Sequence, residues 1–535
     1  MAGMASSLIG CWTRIALGIF ENASQACNRP WLRAATDSDS HLARGFHLHR
    51  EVVEKIDGWR VIRSCASGQT KTSLQPATQR SHGGAIHIRV FISRTQSIAR
   101  STAMQLLLIH QNFPGQFRQL GPAWQAAGHQ LIGIGSTPAP NWPGIDYIRY
   151  HFDQPDGAQA GEASPLERGA AIARACRHLR DQGVCPDVVI AHCAWGEALQ
   201  LRHAFPASAL IVYPELWLSA RAFGVGFDPD LNISAARLQR HLHAAERLNL
   251  LADLAISQAD AAVVANTGQR NTFPMALQQR IQVISDGVDD AALHPDPQAQ
   301  LTLPGGTVLK PGDAVVTLVS RQLEPLRGLR QLLKTWPLVA AAQPDARLVL
   351  VGGDSDGYGI EPAAGADHLT DLLEALPNDI DRTRIHALGR MPYAQLMALL
   401  QCSACHVGLS YPYTVSWSTL EAMSCGAPVV MNTGHTLEPD VVHAENAWIV
   451  PFADTNGLAE AIVQLLRQPK RRQAIGAAGR RLIQSRFSLA QAIQGYDHLF
   501  QQITGATPPA ARAKGPSSRH AGVAAKAGAM GTREL

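Results

Sequence analysis

Short apolar runs alternate with amphipathic stretches through most of the chain. In its first half the runs of strand length are LLLI, DVVIA, ALIVY, AAVVA and IQVIS, which predicts buried strands. Phe117, Leu120 and Trp124 follow the first run at helical spacing, and Gly128 stands where that helix would stop. Strands and helices that alternate in this way predict parallel βα units.

A second block of the same kind follows a stretch rich in Pro, Gly and Asp. Its predicted strands are AVVTLVS, RLVLVGG, RIHALG, CHVGLS, PVVMNT and AWIVPF. We expect domains over residues 104–290 and 312–485, joined by a linker at 291–311. Ligands of open α/β sheets bind at the carboxyl ends of the strands. The predicted fold class is therefore α/β, with two Rossmann-like, doubly wound domains facing a central cleft.

The two ends of the chain lack this alternation. Residues 1–103 show no sustained periodicity before MQLLLIHQNF begins at Met104. We expect a poorly ordered extension there, or sequence upstream of the true start, with a targeting segment or small accessory domain as the alternatives. The stretch 486–504 predicts a last helix that packs back on the first domain, and 505–535 predicts a disordered tail.

Composition narrows the class of protein. A chain of 535 residues with 46% hydrophobic and 17% charged residues suits two or three globular domains. The nine cysteines are widely spaced, which favours reduced thiols and a cytoplasmic protein. The longest N-terminal apolar stretch is interrupted by Arg14 and falls short of the roughly 20 residues that span a bilayer. We expect no transmembrane segment; the net charge of +4 leaves peripheral contact with the inner membrane face open.

Two motifs in the second block carry a family resemblance. YPYTVSWSTLEAMSCGAPVV combines a strand, a tight loop and a helix before a Cys-Gly and a new strand, and SRQLEPLRGL carries a spaced arginine pair. With them, the second block resembles the donor domain of glycosyltransferase family 4, and LLLIHQNFPGQFRQLGPAWQAAGHQL is similar to the start of its acceptor domain. The resemblance implies the GT-B architecture and retaining transfer of a sugar from a nucleoside diphosphate donor, with no cofactor.

The leaving diphosphate sets the electrostatic requirement, because positive charge and backbone donors must meet the negative charge that develops. Arg321 and Arg327 match the basic pair of the family and are the predicted catalytic cations. The backbone N–H groups of Ser416, Trp417 and Ser418 would face phosphate at a helix N-terminus. These groups supply the positive charge that a divalent ion would otherwise provide to the diphosphate, so no metal is expected.

The resemblance implies four further residues on the donor side. Glu421, one turn into the helix, would accept hydrogen bonds from the ribose hydroxyls, and we also count it as catalytic. Arg390 and Met391 would lie against the base, and Gly353 would keep the cleft wall open. The DSD sequence at 354–356 is similar to a metal-binding DxD motif, but a loop is the preferred interpretation.

On the acceptor side, Gly115 follows the first strand, where the lack of a side chain would let backbone approach the donor phosphate. His192, at the carboxyl end of DVVIA, matches a histidine that lies near the transferred sugar in the family and is the fourth predicted catalytic residue. Trp195 and Glu197 beside it are acceptor-side candidates.

The chain departs from the family at Tyr413, where the first of two spaced glutamates would contact the transferred sugar. Either Tyr413 makes an altered contact, or Ser416 or Ser418 replaces it, or activity is lost. The expected partners are a nucleotide sugar and a glycan, lipid-linked or small-molecule acceptor, and no nucleic acid. The alternatives are a non-catalytic nucleotide-sugar-binding partner in polysaccharide assembly and a sugar-nucleotide epimerase on the same fold.

Overall fold

The computed structural model describes residues 103–152, 165–353, 357 and 368–505, and the backbone of four more strands. Three of these, β1 (Arg50–Ile56), β2 (Trp59–Ala66) and β3 (Gln69–Pro76), form an antiparallel sheet within a compact unit over residues 1–94. The rest of the predicted N-terminal extension up to residue 102, and all of the predicted tail except Gly505 and the backbone of 533–534, lie outside the described residues.

A second compact unit, residues 95–535, contains two parallel sheets. The strands of the first are β4 (Gln105–Ile109), β5 (Gln130–Gly135), β6 (Asp146–Arg149), β7 (Val188–His192), β8 (Ala209–Tyr213), β9 (Ala261–Val264) and β10 (Ile281–Val283). Their order is β10-β9-β8-β7-β4-β5-β6, and Arg533–Glu534 pairs with β6 at the edge. Because helices cover both faces, β7 is buried along its whole length.

The second sheet follows a short hairpin, β11 (Leu301–Thr302) and β12 (Val308–Leu309). Its strands are β13 (Val315–Gln322), β14 (Arg347–Gly353), β15 (Ile385–Ala387), β16 (Cys405–Val407), β17 (Val429–Asn432) and β18 (Trp448–Val450). Their order is β15-β14-β13-β16-β17-β18, with all pairs parallel. The two parallel sheets confirm the predicted α/β fold class.

Helices connect these strands. In the first domain they are α1 (Phe117–Ala126), α2 (Pro165–Asp181), α3 (Leu201–Ala204), α4 (Ala235–Gln258), α5 (Thr267–Asn271) and α6 (Met275–Gln278). In the second they are α7 (Leu329–Ala342), α8 (His368–Glu374), α9 (Tyr393–Cys402), α10 (Trp417–Ser424), α11 (Thr455–Arg467) and α12 (Pro469–Leu482). A last helix, α13 (Leu489–Thr504), ends the chain's continuous described part.

Helix α13 packs on α1 through aromatic side chains. The ring of Trp124 lies 5.2 Å from that of Tyr496 in an edge-to-face arrangement and 5.8 Å from that of Phe500. All three are buried, and such pairs add about 0.5–1.5 kcal/mol each beyond the burial of their area. The last helix thus anchors the end of the second domain on the first.

Within the described ranges, no helix is both long and apolar enough to cross a membrane.

Candidate active site

A cavity of about 470 Å³ opens between the carboxyl ends of the two parallel sheets. The first domain contributes loops after β4, β8 and β10, and the second contributes the loop after β13 and the start of α10. A cavity of this size suits a small organic ligand. Its lining includes seven of the predicted site residues: Gly115, Arg321, Arg327, Ser416, Trp417, Ser418 and Glu421.

The arginine pair lies on the wall formed by the second domain. Arg321 is the penultimate residue of β13, and Arg327 ends the short 3-10 turn Pro325–Arg327 before α7. One Nη of Arg327 donates to Ser410 Oγ at 3.1 Å and to the carbonyl of Thr414 at 2.8 Å. These bonds fix one arginine beside the cavity, so this wall carries positive charge that suits an anion.

Helix α10 points its N-terminus at the same wall. Ser416 is its N-cap residue, and Ser418 Oγ donates to the carbonyl of Val319 in β13 at 2.6 Å. The first N–H groups of a helix lack acceptors within the helix, and the dipole there favours an anion. Ser416, Trp417 and Ser418 all line the cavity, so backbone donors and arginine side chains meet on one wall.

Glu421 lines the cavity and is held from both domains. Its Oε1 accepts from Arg118 Nη2 and from the Tyr393 hydroxyl, both at 2.9 Å. The Arg118 guanidinium also lies 4.8 Å from the centroid of the Trp417 ring. The sequence analysis did not predict either partner: Arg118 lies within the stretch LLLIHQNFPGQFRQLGPAWQAAGHQL but was not singled out there, and Tyr393 lies in none of the quoted motifs.

Asp286, after β10, links the two walls. Its Oδ1 accepts from the Tyr213 hydroxyl at 2.7 Å and its Oδ2 from Trp417 Nε1 at 2.8 Å. Burial raises the pKa of Asp286 to about 6, although both hydrogen bonds oppose that shift. Both oxygens of this carboxylate are engaged within the protein.

His192 is 2% exposed and does not line the cavity. Its Nδ1 lies 3.1 Å from Glu197 Oε1, and its Nε2 lies 3.5 Å from Glu215 Oε1. Burial alone would lower the pKa of His192, but the two carboxylates outweigh it and raise that pKa to about 10. The histidine is an imidazolium between two carboxylates, and Glu215, which lines the cavity, lies between it and the open space. The contact predicted between His192 and the transferred sugar stays a prediction. The sequence analysis did not name Glu215 as a site residue.

His110 forms part of the first-domain wall in a neutral state. Its Nδ1 accepts from the backbone N–H of Asn112 at 2.9 Å. Burial, and then the positive charge of His192, lower the pKa of His110 to about 3. The ring packs against Gly115, whose φ is 49° and where a Cβ would lie 2.6 Å from the ring. Glycine is thus required at this loop position by space and by backbone conformation.

Four predicted donor-side residues lie outside the cavity lining. Arg390 Nη2 donates to Gln322 Oε1 at 3.3 Å, and a Cβ on Gly353 would meet that same oxygen. Both therefore lie behind Gln322, which does line the cavity, and Met391 packs against the core. The Tyr413 ring lies 5.7 Å from the Arg327 guanidinium and packs against the core of the second domain, so the altered sugar contact predicted for it stays a prediction.

The two acceptor-side candidates have different positions. Glu197 is fully buried beside His192, and one of its oxygens accepts from the backbone N–H of Trp195 at 2.9 Å. Trp195 is half-buried and is not part of the cavity lining. The DSD segment at 354–356 lies outside the described residues. In the described ranges, no three His, Cys, Asp or Glu side chains are grouped to hold a metal ion.

Two family models match this chain, in order. Residues 127–293 match the model described as "Glycosyl transferase family 4 group", and residues 313–468 match the model described as "Glycosyl transferases group 1". The first match covers β5 to β10 and the second covers β13 to β18. Each match therefore falls on one of the two parallel sheets, although β4 of the first sheet precedes the first match.

Curated relatives share a little over a quarter of their aligned residues with the chain. GDP-mannose-dependent monoacylated alpha-(1-6)-phosphatidylinositol monomannoside mannosyltransferase of Corynebacterium glutamicum is 28% identical over 186 residues, 32% of this chain and 43% of the relative. D-inositol 3-phosphate glycosyltransferase of Segniliparus rotundus is 28% identical over 221 residues, 41% of this chain and 47% of the relative. The chain thus spans about half the length of the curated relatives it matches.

Solved structures share the fold over more of the chain. Sucrose-phosphate synthase of Thermosynechococcus elongatus superposes with a TM-score of 0.58 at 20% identity and covers 76% of this chain and 100% of its own. HepE of Anabaena in complex with UDP superposes with a TM-score of 0.52 at 16% identity and covers 75% and 100%. The architecture is GT-B, and with both family models matched the chain belongs to glycosyltransferase family 4.

Proposed function

We propose that this protein transfers a sugar from a nucleoside diphosphate donor to a glycan, lipid-linked or small-molecule acceptor, with retention of the anomeric configuration and without a metal ion. The observation that carries the proposal is the composition of one cavity wall. Arg321, Arg327 and the N-terminus of α10 lie together there, opposite the polar loops of the first domain. Positive charge and backbone donors are what a leaving diphosphate needs.

Charge stabilisation on this wall replaces the role of a divalent cation. The arginines and the helix N-terminus meet the charge that develops on the leaving oxygen as the bond to the anomeric carbon breaks. The leaving diphosphate then helps to remove the proton from the acceptor hydroxyl, and no covalent intermediate with the enzyme forms. Glu421 accepts hydrogen bonds from the ribose hydroxyls, and its contacts with Arg118 and Tyr393 fix its carboxylate at the cavity.

The names of related proteins support a nucleotide sugar as the donor. The Corynebacterium glutamicum relative is described as GDP-mannose-dependent, and HepE is solved with UDP and with UDP-glucose. Those donors belong to those proteins; here they select the nucleotide sugars to test first. We also propose a cytoplasmic location, and contact with the membrane face if the acceptor is lipid-linked.

A panel of nucleotide sugars tests this function. Each donor, and each nucleoside diphosphate alone, is added to the purified full chain, and thermal unfolding is followed. A ligand present at 100 times its dissociation constant adds about 2.7 kcal/mol to the free energy of unfolding. The donor that stabilises the chain is then assayed for sugar transfer to water and to candidate acceptors, with and without a chelator.

Three results separate the alternatives. Sugar release or transfer that resists the chelator supports a metal-independent transferase. Conversion of the donor to its epimer would support the epimerase, and stabilisation by donors with no turnover would support a non-catalytic binding partner. If no nucleoside diphosphate stabilises the chain, the proposed function is wrong.

A further inference from the structure

Glu215 presents a carboxylate to the cavity from the wall of the first domain. Its side chain is 28% exposed, whereas those of His192 and Glu197 behind it are 2% and 0% exposed. Its Oε1 accepts from Gln116 Nε2 at 2.9 Å and lies 3.5 Å from His192 Nε2. In the described part of the chain no donor is assigned to Oε2, so this oxygen is available to a ligand.

The backbone at Glu215 is held in an unusual conformation. Its φ is 59°, in the left-handed region that residues with a side chain seldom adopt. Gln269 Nε2 donates to the carbonyl of Glu215 at 2.9 Å and secures the loop after β8. Strain of this kind persists where surrounding contacts impose it, and it concentrates at functional sites.

The charges around His192 leave Glu215 with a net negative charge toward the cavity. The protonated imidazole lies between Glu197, which is fully buried against Nδ1, and Glu215 at Nε2, so one positive charge faces two carboxylates. Burial would raise the pKa of Glu215, but its contact with His192 lowers that pKa and keeps the carboxylate ionised. The second carboxylate therefore adds an anionic oxygen on the wall opposite Arg321 and Arg327.

Other carboxylates at the cavity are committed elsewhere. Asp286 uses both oxygens, for Tyr213 and Trp417. Glu324 lies in the loop after β13, on the cavity wall formed by the second domain, and has interactions of its own. Glu421 lies on that same wall. Glu215 is thus the carboxylate that faces the second-domain wall from the first domain.

We propose that Glu215 determines which sugar is transferred, by accepting hydrogen bonds from hydroxyl groups of that sugar. The inference rests on the proposed function. An ionised carboxylate only accepts hydrogen bonds, so it pairs with hydroxyls and repels phosphate. The diphosphate lies on the second-domain wall beside Arg321 and Arg327, and the sugar attached to it is the hydroxyl-rich group that reaches Glu215. His192 is a positioning residue, because it contacts Glu215 and not the cavity.

Paired titrations of a nucleotide sugar and its nucleoside diphosphate test this role. The probes are UDP-glucose with UDP and GDP-mannose with GDP, measured by calorimetry on the full chain. Glu215→Gln removes the charge and keeps the shape, whereas Glu215→Gly also suits the positive φ, so the backbone is not strained. Each variant should weaken binding of the nucleotide sugar about tenfold or more, since hydrogen bonds to charged groups are the strong ones. Binding of the free nucleoside diphosphate should not change.

Gln200→Gly is the matched control, because Gln200 also has a positive φ, of 65°, and is exposed away from the cavity. It should leave both affinities unchanged. In the Glu215→Gly background, His192→Gln should cause no further loss of the preference for the nucleotide sugar over the nucleotide. An additional loss of that preference would overturn the positioning role.

The outcomes separate this inference from the proposed function. If the wild type binds no nucleoside diphosphate, the proposed function fails and the inference falls with it. If the wild type binds donors but the Glu215 variants keep the ratio of the two affinities, the proposed function stands and the role of Glu215 is wrong. An effect confined to the KM of the acceptor would overturn it too.

Discussion

Arg118 and Glu421 form an ion pair between the two domains, with Nη2 and Oε1 2.9 Å apart. Arg118 belongs to α1 and Glu421 to α10. Tyr393 donates to the same oxygen of Glu421, and in the described residues no donor is assigned to its Oε2. The ion pair therefore orients the carboxylate and leaves one oxygen for a ligand.

We expect Glu421→Gln to weaken binding of a nucleoside diphosphate about tenfold or more, because the charged acceptor for the ribose hydroxyls is lost. A dideoxyribose analogue lacks those hydroxyls, so its affinity should fall much less. Calorimetry with both ligands checks this. Equal losses would place Glu421 away from the ribose.

Arg118→Ala should have a smaller effect than Glu421→Gln on the same affinity. The Arg118 side chain is 40% exposed, and a solvent-screened ion pair contributes about 0–1 kcal/mol. A loss as large as that of Glu421→Gln, in the same calorimetric titration, would mean that Arg118 itself contacts the ligand.

The raised pKa of Asp286 predicts a pH-dependent stability. With a pKa of about 6 when folded and 3.8 as the reference value, the folded protein binds this proton more tightly than the unfolded chain. The contribution of Asp286 to the free energy of unfolding therefore falls as the pH rises from about 4 to about 6, by on the order of 3 kcal/mol. Urea unfolding of the wild type and Asp286→Asn at several pH values checks it. The stability of the variant relative to the wild type should rise over that range, and a constant difference would contradict the shift.

The strand pattern was readable where a strand is a continuous run of apolar residues. All six predicted strands of the second half coincide with β13 to β18, because parallel strands under helices are continuous apolar runs. In the first half β5 and β6 were not predicted. Strand β5 contains Gly133 and Gly135, where a Cβ would lie 2.7 Å from atoms of Phe113, so close packing has replaced the apolar run with glycine. Strand β6 is short and lies near the edge of the sheet.

The site was readable where a local motif carries it. Arg321, Arg327 and the start of α10 were predicted from their match to motifs of the family, and they line the cavity. Glu215 and Asp286 have no local signature. Their one readable signal was an acidic residue soon after the strands ALIVY and IQVIS, at the ends where ligands of parallel sheets bind.

The buried pair of His192 and Glu197 predicts a non-additive effect on stability. His192→Gln leaves a fully buried carboxylate without its cation, which should cost about 3–5 kcal/mol. Adding Glu197→Gln removes that charge, so the double variant should be more stable than the single one. Urea unfolding near neutral pH measures both. If the two changes simply add, the pair does not carry the charges inferred here.

The pKa of His192 in the folded protein is raised from 6.5 to about 10, so protonated His192 contributes its full stabilisation to the free energy of unfolding at pH values below 6.5. This contribution should be lost as the pH rises from 6.5 through about 10, because over that range the folded state holds a proton that the unfolded chain has released. The neutral double variant should lack this alkaline loss.

Gly268 controls how closely the domains approach. A Cβ there would meet the backbone of Thr436 in the second domain, including its carbonyl carbon at 2.6 Å. Gly268→Ala should therefore separate the cavity walls, and a displacement of about 1 Å can lower a rate about 100-fold. Transfer kinetics and small-angle scattering check this. Asn271→Ala, at an exposed position of the same helix, is the control, and equal rates for both variants would show that the interface absorbs the methyl group.

Arg327→Ala tests the electrostatic basis of the proposed reaction. Arg327 lines the cavity and is fixed by Ser410 and the carbonyl of Thr414, so it is placed to stabilise the leaving diphosphate. Its removal should lower kcat about 100-fold or more, since a stabiliser of developing charge has that effect. Arg384→Ala is the matched control, because Arg384 pairs with Asp381 within the second domain and outside the cavity lining, and it should leave kcat unchanged. Single-turnover kinetics at saturating donor separate the chemical step from binding. If kcat persists in Arg327→Ala while the donor still binds, the charge on this wall does not drive the departure of the diphosphate.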